Sequence, residues 1–226
     1  MSDLGHILEA SSRGTSPVDL LIVLFGVSLV PLLAVSITSF TRIVVVLGLL
    51  RASLGAPSLP PNAVIMALAI MLSGVIMGPT LGRVQRIAAT PYFTHRISAS
   101  QALTSATQEF KTFMLRQTRR SDIATFERFA RAQRLDRPDD PRKNSEPSFP
   151  IVASAFMVGE LRAAFAMGFA LALPFAVIDI VVAAVMMSLG MFMVSPASIS
   201  LPLKLLLFVA ADGWTTVCGT LVNSFR

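Results

Sequence analysis

The chain has 226 residues, of which 54% are hydrophobic and only 14% charged, with a mean hydropathy of +0.69. Soluble domains carry about a quarter charged residues, so this composition argues against an ordinary soluble domain and reads as a membrane protein. The formal charge is +6, and 13 of the 19 Lys and Arg lie in residues 80–150 against 7 of the 13 Asp and Glu, so one polar segment holds the whole excess. No aromatic-interleaved basic motif accompanies it, which turns the reading from nucleic acid toward a solvated polar domain.

Residues 1–17 are polar and mixed in charge, and they lack the basic, apolar and small-residue order of a cleavable signal peptide. Residues 18–37 have about the length of a span, with a kink expected at Pro31. Thr38-Ser39-Phe40-Thr41-Arg42 then interrupts the hydrophobicity, and residues 43–50 resume it. Eight residues cannot cross a bilayer, which takes about 20 in a helix. Residues 18–50 therefore read as one long helix carrying Arg42, or as a span followed by a short helix buried in protein. Gly and Pro make residues 51–62 a linker, and residues 63–77 form the next apolar helix. Gly74 and Gly78 there have the spacing that lets membrane helices approach closely.

The polar segment 80–150 contains two helical patterns, Leu103, Ala106, Phe110, Phe113, Met114 and then Ile123, Phe126, Phe129, Ala130. Ser121 is the expected cap of the second. A hairpin that hides its own aromatics fits them better than lipid binding. Residues 134–148 are rich in Pro and charge and read as a linker.

Residues 150–162 lead into a long apolar run, 163–189, with a break expected at Pro174 and an acid at Asp179. An ionised Asp in mid-membrane costs about 2.5–3.5 kcal/mol on the insertion scale, so it is a functional candidate by default. Asp179 reads equally as one half of a structural pair, with Arg42, Arg162 or Lys204, or as a proton relay. The run ends in Met186-Met187-Ser188-Leu189-Gly190-Met191-Phe192-Met193-Val194-Ser195-Pro196. Gly190 and Pro196 bracket a break before the last apolar run, 201–222. Methionine ordinarily fills core gaps, but a cluster in such a break also suits a pore that must close and deform. Lys204 and Asp212 interrupt the last run, and Asp212-Gly213-Trp214 resembles an interfacial anchor.

With Cys218 the only cysteine, no intrachain disulfide forms within these residues. His6 and His95 lie far apart and outside the apolar runs, which removes support for a zinc site or an intramembrane Ser-His hydrolase. No Walker A pattern occurs, so energy must come from a partner or a gradient.

Several blocks, in order and spacing, resemble the FliP/SctR family of type III export-gate proteins. They are Thr38-Ser39-Phe40-Thr41-Arg42-Ile43, Leu49-Leu50-Arg51, Leu54-Gly55 and Pro60-Pro61-Asn62. Phe113-Met114-Leu115-Arg116-Gln117-Thr118-Arg119, Gly159-Glu160-Leu161-Arg162 and Pro174-Phe175 with Ile178-Asp179-Ile180 follow. Leu189-Gly190-Met191 to Pro196, Ile199-Ser200-Leu201-Pro202, Lys204-Leu205 and Asp212-Gly213-Trp214 complete the pattern. Gly159, Arg162, Ala166 and Leu203 depart from the family's usual residues, and Phe192 stands inside its usual run of three methionines.

The resemblance implies an all-α, polytopic membrane protein of helical hairpins, with a small helical polar domain inserted between two apolar halves. The expected organisation is a polar segment 1–17, a first apolar region 18–79, a polar domain 80–150 and a second apolar region 151–226 with the Met-rich loop. The resemblance puts the polar domain on the periplasmic side, although its positive charge alone suggests cytoplasm. It implies a core channel subunit of the flagellar export gate in the bacterial inner membrane and flagellar basal body. The implied partners are FliQ, FliR, FlhB and FlhA, further copies in a ring, and exported unfolded flagellar proteins. The gate loop would be Met191, Phe192 and Met193, and the candidate buried charges are Asp179, Glu160, Arg162, Lys204, Arg42 and Asp212. No cofactor, metal, nucleic acid or enzymatic activity is expected. The alternatives are an injectisome subunit of the SctR type and, from another class, a small-solute or proton-coupled transporter.

Overall fold

The computed structural model describes residues 35–56, 58–133 and 146–225, and before these only Leu21, Leu24, Phe25, Ser28 and Leu32. The polar start, most of the first expected span with Pro31, and most of the 134–148 linker lie outside the described residues. The chain divides into two compact units, Met1–Ser36 and Ile37–Arg226, and the architecture below is that of the second.

Among the described residues every regular element is helical. Helix α1 is Phe40–Leu54, and a break at Thr38–Ser39 precedes it, so the short-helix alternative describes this stretch. Eight of its residues are buried, Arg42 among them, and at 15 residues it is about 22 Å long, too short to span. Gly55 ends it with a left-handed φ of 78°, a conformation in which a Cβ would be strained.

Helix α2, Asn62–Val84, presents Ile65, Ala69, Ser73, Met77 and Thr80 inward at helical spacing. A π-helical turn, Gln85–Ala89, carries it into α3, Thr90–Phe93, so one helix of 32 residues replaces the expected 63–77. Among the described residues, a Cβ added at Gly74 or Gly78 would meet nothing, so no packing is seen there at their spacing.

Helix α4, Ala99–Gln117, opens on a capping box: Ser98 Oγ accepts from the Gln101 amide and Gln101 Oε1 accepts from the Ser98 amide. Helix α5, Arg120–Ala132, has Arg119 at its N-cap, so Ser121 lies inside the first turn and is not the cap. The two polar helices do not hide their aromatics in a hairpin of their own. Both pack on the next helix, and Leu103 and Phe129 are left exposed. A core on the α4 side joins Met77, Phe113 and Met114 to Val152 and Phe156, with the Phe113 and Phe156 rings edge-on at 5.8 Å.

That next helix, α6, is Phe149–Ser188, 40 residues and about 60 Å. It contains residues 150–162, read from sequence as a lead-in, and it runs through Pro174 without the expected break. A proline costs one backbone bond and a local kink, and an otherwise apolar helix in a membrane setting continues past it because any other backbone state would leave more groups unsatisfied. α1 lies close against α6 at Gly168, where a Cβ would stand 2.3 Å from Leu49 Cδ1. Helix α7, Pro196–Ala210, and helix α8, Gly213–Asn223, meet at 64°. Among the described residues, α2–α3 and α6 can each cross a membrane by length and composition, and the bent α7–α8 pair is a candidate third span or a re-entrant loop. The fold is all-α with the character of a membrane protein.

Candidate gate loop and buried ion pairs

The turn from α6 to α7 is closed by its own backbone. The Gly190 amide donates to Met187 O at 3.1 Å and the Met191 amide to Met186 O at 3.0 Å, with Gly190 left-handed at φ 72°. This is a Schellman motif, which needs a residue without a Cβ penalty at the position Gly190 holds. Pro196 then sits in the first turn of α7, where its missing amide costs nothing. Between these stops the chain projects its apolar side chains outward: Phe192 is 79% and Met193 99% exposed, while Met191 is less so. The tip is therefore held at both ends and uncovered in the middle.

Of the six charge candidates, four form two ion pairs with one another, Arg162 pairs with Asp122, and Asp212 is the remainder. Arg42 reaches across from α1 to Glu160 on α6 with a two-pronged grip, Nε to Oε2 at 2.8 Å and Nη2 to Oε1 at 2.5 Å. Both are buried, Glu160 to 1% exposure. Arg162 is half exposed and holds both oxygens of Asp122 on α5 at 3.0 Å. Lys204 on α7 is buried and donates to Asp179 Oδ2 at 2.6 Å and to Ser53 O, near the end of α1, at 3.1 Å. One ammonium thus joins α1, α6 and α7 and serves a helix-end carbonyl as well.

Asp179 itself is 47% exposed and Asp212 is exposed at the α7–α8 bend, so these two, with Arg162, are not buried charges in this chain. The three alternatives left open for Asp179's partner resolve to Lys204. Asp122 and Ser224, which complete the pairings of Arg162 and Arg42, had no distinguishing sequence signal beyond an acid in the first turn of an amphipathic helix. In the polar segment, Lys111 donates to Glu146 at 2.9 Å, and that hydrogen bond, with the lysine charge, holds the Glu146 carboxyl below the usual range.

Asp179 faces an open groove of about 540 Å³ whose other walls are mostly small: Ala172, Ala176 and Ala183 from α6, Ala52 and Ser53 from α1. Pro196 and Ala197, just after the gate loop, close its far side. Among the described residues no three His, Cys, Asp or Glu side chains come together as a metal site.

Residues 23–221 match the model of the FliP family. The chain is 44% identical to a flagellar biosynthetic protein FliP of Caulobacter vibrioides, over 99% of this chain and 81% of that protein. It is 41% identical to the Bacillus subtilis protein of the same name, over the full length of both, and 42% identical to that of Pectobacterium carotovorum, over 93% of this chain and 80% of that one. Matched over most of its length by the family model and by these relatives, the chain belongs to the FliP family.

Proposed function

We propose that this protein is a core channel subunit of the flagellar type III export gate. It passes unfolded flagellar proteins across the bacterial inner membrane within the basal body, and it catalyses no reaction itself. Several copies form a ring together with FliQ and FliR, next to FlhB and FlhA, and the polar segment lies on the periplasmic side. The observation that carries the reading is the loop: a backbone-locked turn between two apolar helices holds Phe192 and Met193 out with nothing of this chain to cover them. Exposed apolar tips from several copies close a narrow ring by dewetting, and thioethers yield around cargo of any sequence. The flagellar names of the relatives favour this system over an injectisome.

Replacing Met191, Phe192 and Met193 by Ala tests it. The tip makes few core contacts, so the complex should assemble at wild-type yield, whereas uptake of small solutes by cells carrying it should rise several-fold. A complex that assembles normally and stays as tight as wild type would sink the gate.

A further inference from the structure

α7 and α8 are both apolar and together long enough to cross a membrane, yet they turn through 64° across Ala211 and Asp212. Neither residue is a proline. The turn rests on the left-handed backbone of Asp212, at φ 46°. A residue with a Cβ keeps such a conformation when its surroundings over-determine it. Two sets of contacts do so here. At the bend, the Phe208 and Trp214 rings meet edge-on at 5.3 Å, and Gly213 lies so close that a Cβ there would be 2.2 Å from the Phe208 ring. At the far end of α8 the chain is gripped from outside. Arg42 Nη1 donates to Ser224 O at 3.1 Å and meets Ser224 Oγ at 3.0 Å, and its guanidinium carbon stands 3.7 Å from the centre of the Phe225 ring. Gln117 on α4 donates to Phe225 O at 3.1 Å, and the Phe225 side chain packs on the Met77–Phe156 cluster. Between bend and grip, α8 buries only Gly213, Val217 and Leu221.

We propose that Arg42 and Gln117 form a clasp that keeps the α7–α8 arm bent. When the clasp opens, Asp212 relaxes to right-handed helix and the arm straightens into one continuous helix from Pro196 to Asn223. That helix of roughly 28 residues is about 42 Å long, enough for a hydrocarbon layer of about 30 Å, so the straight form has a stable place in a bilayer. Arg42 is the positioning residue, because Glu160 holds its other two nitrogens and so aims the third at Ser224. The two jobs use different faces of the guanidinium, which a lysine cannot reproduce. The proposal does not depend on the gate reading, since it concerns the far end of α7 from the loop.

Spin labels at Ser198 and Thr220, both exposed, in the Cys218→Ser chain measure the bend directly in lipid nanodiscs. For a bend of 64°, straightening lengthens their separation by about 5 Å at 1.5 Å per residue. The wild type should show the short distance, and Arg42→Lys and the double variant Gln117→Ala/Phe225→Ala, which removes the Gln117 bond and the ring under Arg42, should add a population about 5 Å longer at that same rise. The double variant leaves the Arg42–Glu160 pair intact, so it decides the matter where Arg42→Lys does not fold. Folded clasp variants that keep only the short distance, or a wild type with only the long one, overturn the proposal. Hydrogen exchange on the unaltered protein gives a reading that needs no variant. The amides of residues 211–214 and 224–225 should open together at one rate, and unrelated rates at the two ends also overturn it.

Discussion

Arg42 and Glu160 form the tightest charge contact in the described chain, and each would be costly alone. Breaking a buried pair by removing one partner leaves the other unmatched and costs about 3–5 kcal/mol, while replacing both with apolar groups is often neutral. Glu160→Gln and Arg42→Met should each lower thermal stability in detergent by an amount in that range. The combination Arg42→Met/Glu160→Leu should be less damaging than the two single losses added together. Strict additivity would mean that the 2.5 Å contact does not couple them. Asp179 presents a different case, because its partner Lys204 is buried while the carboxylate is half exposed to the groove. Asp179→Asn keeps a hydrogen-bond acceptor for Lys204 but leaves that cation uncompensated, so complex yield should fall. Normal yield with export that no longer responds to the proton gradient would favour the relay reading instead. These residues were readable as unusual from sequence, since charges inside apolar runs stand out. Their partners were not, because Arg42 and Glu160 are 118 positions apart and no spacing rule connects them.

At the scale of elements, periodicity located the helices and misplaced several ends. The apolar run after residue 163 was visible, but α6 begins at Phe149, because Val152, Ala155 and Phe156 bury themselves against the polar helices rather than against lipid. Pro174 read as a break and is not one, since a long apolar helix loses less by kinking than by unwinding. Ser98 and Gln101 have the spacing of a capping box and form one, whereas Ser121, the expected cap, lies inside the first turn of α5. Glycine spacing did not locate the close approach that the described helices make. A Cβ at Gly74 or Gly78 would meet none of the described residues, whereas Gly168, outside that small-residue pair, sits against Leu49. A Cβ at Gly168 would stand 2.9 Å from Leu49 Cβ and closer still to Cδ1, so α1 and α6 would have to separate. Gly168→Ala should therefore destabilise by about 1–3 kcal/mol, the usual cost of overpacking. Leu49→Ala in the same chain should recover part of the loss, and Gly74→Ala should cost nothing comparable. Thermal unfolding of the three variants in detergent checks this, and equal stability of Gly168→Ala and Gly74→Ala would contradict the close approach.

For the whole molecule the Arg42–Glu160 and Lys204–Asp179 pairs set a scale. Glu160 and Asp179 are 19 residues apart on one continuous helix, about 28 Å, which matches a hydrocarbon layer of about 30 Å. The sequence suggested a charge in mid-membrane; a layer centred between the two pairs would instead put both at its edges, with the apolar middle of α6 between them. Phe165, Phe169, Leu173 and Val177 fall in that interval at helical spacing, and all are exposed in the single chain. A surface of that kind is covered by lipid or by other protein. Lipid is the natural cover for a chain on its own, and neighbouring subunits are the natural cover in an assembled ring. A spin label at Phe169 should then be freely accessible to dissolved oxygen and not to a water-soluble relaxant when the chain is alone in a bilayer. In the assembled export complex it should lose most of its access to oxygen as well, because protein replaces lipid around it. Access to oxygen that is the same before and after assembly would leave this face of α6 outside any subunit contact, and the ring would have to be built from the other faces of the fold.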